Sequence, residues 1–237
     1  MSFVRACVPG AGHPTHPVSV PVPDIVYGYT LKGPTAKLTR VQRITGDKLN
    51  PKMGEAIAGS LFFPFFIIEF KSDAGNRGVA ENQCLGGSAT CVAIMKNLND
   101  LLGNYPGAPK VCDAAFSLVI DLRQAELFVS WMGDNEDDEE DKEEGDEEEE
   151  QEERESEEKE GVQKKCYMRR HKNFDLKEAD QFLQFVSYIE SIIDWGKGKR
   201  LREIQRALTF IRKEDRKRTL LEAKARKRSA NPQPPKR

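Results

Sequence analysis

Leu61-Phe62-Phe63-Pro64-Phe65-Phe66-Ile67-Ile68-Glu69-Phe70-Lys71 is the longest apolar run in the chain, and it ends on two charges. Its length and aromatic, β-branched content predict a strongly apolar strand. Side chains alternate along a strand, so Glu69 and Lys71 share one face with Cα atoms about 6–7 Å apart, and Phe70 takes the other. A carboxylate and an ammonium at the tip of such a strand need partners, because unpaired buried charge is expensive. Upstream, Pro23-Asp24 opens Ile25-Val26-Tyr27. If Asp24 ends a neighbouring strand, its carboxylate and that of Glu69 meet within about 5–6 Å, close enough for one hard cation. Two oxygen ligands suit Mg²⁺, which keeps several waters, and a lysine beside it can orient an attacking water. The bland alternative is a strand reaching solvent in a Glu-x-Lys ending.

Working outward, Ser72 to Gly78 carries the glycine and asparagine of a turn. From Cys91, apolar residues at Val92, Met95, Leu98, Leu101 and Leu102 keep helical spacing. Gly86-Gly87, early in this segment, costs a helix about 1 kcal/mol per glycine, which points to close packing as their purpose. Ala115–Ile120 and Ala125–Trp131 read as two strands joined by a short hairpin at Asp121–Gln124. The order is strand, strand, helix, strand, strand.

These pieces together resemble a family of uncharacterised fungal proteins described as PD-(D/E)XK nuclease-like. The resemblance rests on Pro23–Tyr29, Pro64–Lys71, Ala80-Glu81-Asn82-Gln83, Ala125–Trp131 and the later Ile192–Leu201, and it covers most of 21–212 apart from the acidic run. It implies an α/β (α+β) architecture, a restriction-endonuclease-like mixed central sheet flanked by helices. It makes Asp24 and Glu69 metal-binding acids, Lys71 the catalytic lysine, and Gln83 a helix residue beside the metal. The tyrosine that follows such a glutamine is replaced by Gly87. The family fold begins with a helix and a strand before the aspartate strand. The 23 residues before Asp24 hold Pro9, Pro14, Pro17, Pro21 and Pro23, which break helices, so the expectation is an N-terminally shortened form. The implied activity is Mg²⁺-dependent phosphodiester hydrolysis of DNA or RNA. The alternative is a catalytically inactive module that binds nucleic acid or protein as an adaptor.

The net charge of −2 conceals segregation: Asp134–Glu160 carries −17, Gly196–Arg237 carries +12, and the remainder +3. The acidic run lacks apolar residues and reads as a disordered linker, over 134–163, either a solubilising spacer or a mimic of nucleic acid that attracts basic proteins such as histones. It holds no EF-hand order. The organisation expected is a disordered Pro/Gly-rich 1–20, a core at 21–133, that linker, a helical part at 164–222, and a disordered basic tail at 223–237. Within the helical part, Asp175 and Glu178 suggest a capping box for a helix reaching Ile193. Trp195-Gly196-Lys197-Gly198 suggests its stop. Leu201, Ile204, Leu208 and Ile211 mark a second amphipathic helix, with Arg200, Arg202, Arg206 and Arg212 on a face open to phosphate and Trp195 as a stacking residue.

Cys7, Cys84, Cys91, Cys112 and Cys166 are odd in number and lack paired spacing, which fits a reducing, intracellular setting, nuclear or cytoplasmic. The basic cluster Lys224-Ala225-Arg226-Lys227-Arg228 fits nuclear targeting or nucleic-acid contact. No apolar run is long enough to span a membrane, and no Gly-x-Ser-x-Gly elbow supports a serine hydrolase.

Overall fold

A computed structural model describes residues 2–3, 8–9, 20–30, 54–57, 60–71, 77–133 and 165–230. The acidic run, residues 134–163, and the end of the basic tail lie outside the described residues. The fold is a mixed α/β arrangement: β1 (Ile25–Tyr29), β2 (Glu55–Ile57), β3 (Leu61–Phe70), α1 (Arg77–Gly103), β4 (Ala115–Ile120), β5 (Gln124–Gly133), β6 (Lys165–Asp175), α2 (Ala179–Trp195), a π turn (Gly196–Arg200) and α3 (Leu201–Ala230).

The apolar run becomes β3, second in a six-stranded sheet of order β1-β3-β4-β5-β6, with β2 also on β3. Every residue from Phe62 to Glu69 is buried, as expected of a strand flanked on both sides and covered on both faces. Pro64 falls where the β1 ladder is irregular, between the Tyr27↔Phe66 and Tyr29↔Phe62 pairs, so its missing N–H interrupts no regular bond. β3 and β4 run parallel, Phe66↔Phe116 to Phe70↔Ile120, and α1 is their crossover. The Asp121 carboxylate closes the β4–β5 hairpin by accepting the N–H groups of Arg123 and Gln124, both at 2.7 Å.

α1 covers the face that carries Ile67. A Cβ on Gly87 would stand 2.6 Å from Ile67 Cδ1, so the close packing expected of this glycine is present. It also explains why no tyrosine stands there. On the opposite face Trp195 packs edge-on against Phe116, with centroids 5.4 Å apart, and Phe174 of β6 packs against Phe185 and Tyr188 of α2.

Five sequence expectations are corrected. Phe3 and Val8 are buried in the core, and the Phe3 N–H bonds Pro21 O at 3.4 Å, so 1–20 is not wholly free of the fold. Lys165–Asp175 is a strand, not part of a purely helical segment. Asp175 closes that strand and its turn, accepting the Lys177 N–H at 3.0 Å, while α2 begins after Glu178 without a side-chain cap. The helix does not stop at Gly196 but passes through the π turn into α3, which runs to Ala230 and so includes residues expected in a disordered tail. Arg200 is fully buried and leaves the basic face.

Gly196 is explained by a neighbour rather than by a helix stop. A Cβ there would lie 2.1 Å from Phe65 Cζ, and the Gly196 carbonyl accepts the Tyr29 hydroxyl at 2.7 Å. Helix propensity predicts that Gly196→Ala stabilises by about 1 kcal/mol, whereas overpacking predicts a loss of about 1–3 kcal/mol. The ring is hemmed in by Trp195, so the loss is expected. Urea unfolding decides between them, and a rise in midpoint would refute the packing account.

Candidate active site at the β1–β3 edge

The β1–β3 register pairs Ile25 with Ile68, and its next step sets Asp24 opposite Glu69. Opposed Cα atoms in such a ladder are about 4.5–5.5 Å apart. Asp24 is fixed further by its Oδ2, which accepts the Phe70 N–H at 2.7 Å. The chain just past β3 is tied to β4 by Lys71 N–H to Ile120 O at 2.8 Å. Lys71 Nζ then donates to Gln83 Oε1 at 2.8 Å, and Gln83 comes from the second turn of α1. The β1–β3 pairing and the β3–α1 connection together bring these four residues to one place. Gln83 is not a helix cap but the lysine's tether.

Glu69 is 2% exposed, and its Oε1 has no hydrogen-bond partner. Burial first, and the Asp24 carboxylate second, push its pKa from an ordinary 4.5 to about 7, with Lys71 pulling the other way. Two ionised carboxylates have no hydrogen to share, so one proton between them turns repulsion into a bond. A protonated Glu69 therefore contributes stability below pH 4.5 that is lost as pH rises through about 7. The loss is on the order of 3 kcal/mol. In chelator, Glu69→Gln should gain stability relative to the parent as pH rises from about 5 to 8, by roughly 2–3 kcal/mol. A pH-independent difference in urea unfolding would show that Glu69 is not held in this state.

Further polar residues lie at the same end of the sheet, on its far strands. Glu126, 3% exposed, occupies the row of Glu69 through Val119, since β3 pairs Glu69↔Val119 and β4 pairs Val119↔Glu126. Arg170 of β6 lies between Glu126 (3.7 Å) and Glu81 of α1 (3.9 Å), with its guanidinium over the Phe128 ring. Sequence reasoning passed over Glu126, although a lone acid inside Ala125–Val129 is the same signal that singled out Glu69. Cys84 is buried behind the pair, and burial raises its thiol to about 12, which keeps it protonated.

Among the described residues no three His, Cys, Asp or Glu side chains gather as a metal cage. Glu69 Oε1, without a hydrogen-bond partner, stands beside the Asp24 carboxylate, and such a pair of hard oxygens has the chemistry that a cation keeping most of its waters, such as Mg²⁺, would need. The arrangement defines a mixed α/β domain with a paired-carboxylate edge and a tethered lysine. The chain belongs to the family described as a domain of unknown function (DUF7924), whose model matches residues 6–208. No curated protein and no solved structure matches it. No helix among the described residues is long and apolar enough to cross a membrane.

Proposed function

We propose that this chain is a PD-(D/E)XK nuclease-like phosphodiesterase that acts on DNA or RNA with Mg²⁺. The observation that carries the reading is the convergence of Asp24 and Glu69 with the Lys71–Gln83 pair at one strand edge. The antiparallel β1–β3 pair followed by the β3–α1–β4 crossover to a parallel strand supports a restriction-endonuclease-like core.

Asp24 and Glu69 would hold the cation, which supplies charge neutralisation at the phosphate and a more acidic bound water. Asp24 commits Oδ2 to the Phe70 N–H and keeps its other oxygen available. Lys71 commits one hydrogen to Gln83 and has two left for a water or a phosphate oxygen. Its ammonium also lowers the Glu69 pKa, which favours the ionised form that a cation needs. Val119, which is buried, stands beside Glu69 on the next strand.

Purified protein should nick plasmid DNA or cut single-stranded nucleic acid with Mg²⁺ or Mn²⁺, and chelator should abolish it. Asp24→Ala should reduce both cation affinity and cutting by at least about 100-fold. Binding of nucleic acid without cleavage under either metal would refute the proposal in favour of the inactive adaptor.

A further inference from the structure

Helix α3 separates its charges. Its buried stripe is Ile204, Ala207, Leu208 and Ile211. Of its four acids, Asp215 accepts the Tyr105 hydroxyl at 2.8 Å, Glu214 pairs with Lys217 at 2.6 Å, Glu203 has a buried Oε2 near Arg200 and Tyr29, and Glu222 lies beyond the groove toward the end of the helix. Arg202, Arg206 and Lys213 are exposed, and among the described residues no carboxylate pairs with any of them. They line an open groove of about 400 Å³ together with Gln205, Thr209, Phe210 and Pro109.

The spacing 202, 206, 213 sets the three cations along one side of the helix over about 16 Å. Guanidinium groups one turn apart suit consecutive phosphates, each taken as a forked pair of hydrogen bonds. The groove is not purely cationic: Phe210 and Pro109 give it an apolar lining, which fits the face of an unstacked base and not a carboxylate side chain. The groove also lies away from the carboxylates. Pro109 precedes the start of β4 at Ala115, whereas Lys71 is tied to its end at Ile120, so the two places are separated by the length of that strand, about 17 Å.

We infer that this groove is a binding site for single-stranded nucleic acid, holding two or three phosphates on Arg202, Arg206 and Lys213 and a base against Phe210. The site stands apart from the carboxylate edge and works whether or not that edge cuts. It replaces the broader basic face drawn from the sequence, since Arg200 is buried and Trp195 is packed edge-on between Phe65 and Phe116.

Fluorescence anisotropy with a labelled oligothymidylate of about 20 nucleotides, on the full chain in chelator, tests it without any cleavage. The parent should bind at low salt with a steep salt dependence. Arg202→Gln/Arg206→Gln should weaken binding at least about tenfold and reduce the log–log salt slope by roughly 1.4, the loss of two phosphate contacts on a single strand. Phe210→Leu, which keeps an apolar side chain, should weaken binding about fivefold or more with the slope unchanged. Circular dichroism should show each variant folded. No binding by the parent, a double variant that matches it, or loss in Lys177→Glu equal to that in the double variant would each overturn the inference. A duplex, or a poly-glutamate peptide of equal charge, binding more tightly than the strand would also overturn it.

Discussion

Arg200→Met should lower the melting temperature by about 8–15 °C, the shift expected for a loss of about 3–5 kcal/mol in a domain of this size. The guanidinium is fully buried and serves three carbonyls: Nη1 donates to Cys112 O (3.1 Å) and Ala114 O (3.2 Å), and Nη2 to Pro64 O (3.2 Å). It lies over the rings of Trp195 (5.2 Å) and Phe65 (5.8 Å). Methionine fills much of the volume but abandons three acceptors, and each orphaned acceptor costs about 1–3 kcal/mol. The three sit before β4 and within β3, so Arg200 ties the start of the parallel pair to the π turn. Burial already lowers the Arg200 pKa and raises that of Tyr29, so the pocket tolerates charge only because the acceptors and rings are in place. Arg200→Lys should recover part of the loss, since an ammonium serves the carbonyls as a point charge without the planar stack. A thermal melt of Arg200→Met within about 2 °C of the parent would refute this role.

Lys71→Ala should reduce phosphodiester cleavage by about 100- to 10,000-fold, the range for removal of a group that positions or moves a proton. Cation affinity should remain within about threefold, because the lysine is not a ligand. The comparison belongs at pH 8.5, for a definite reason. Lys71 lowers the Glu69 pKa, so its loss moves the ionisation of Glu69 further upward and weakens cation binding near neutrality. Measured affinity should therefore fall more in the variant at pH 7 than at pH 8.5. Gln83→Ala should give a smaller loss, about tenfold, by freeing the ammonium from its tether. Full activity in Lys71→Ala would assign the cutting to some other group.

The meeting of these charged residues was legible because its logic is local. Glu69 and Lys71 share a face through strand alternation, and the apolar run that precedes them forced a buried strand. Gln83 was visible only through a resemblance, since nothing in its own neighbourhood says that α1 begins as early as Arg77. Arg200 was misread, although its spacing was informative: 200, 204, 208 and 211 follow the buried stripe, while 202, 206 and 213 follow the exposed one. Charge outweighed periodicity in that reading, and burial beside Phe65 and Trp195 shows that periodicity should have won. β6 was missed for a different reason. As an edge strand with exposed Arg169, Arg170 and His171, it has no apolar alternation to announce it. The π turn was invisible because a glycine pair after tryptophan is an ordinary helix end, and only the ring of Phe65 explains Gly196.

β1 is the last strand of the sheet, paired with β3 alone and tied otherwise by the Tyr29 hydroxyl on the Gly196 carbonyl, and the residue that leads into it is one of the two acids. Peeling away five residues therefore divides the site in half while the rest of the sheet, with its helices, stays assembled. Under the proposed function, the assembled site then depends on a local docking equilibrium, with a lower opening free energy than the whole domain. In rising denaturant, cutting should fade before tryptophan fluorescence reports any loss of the core, and a cation that bridges the two acids should bring the two transitions together.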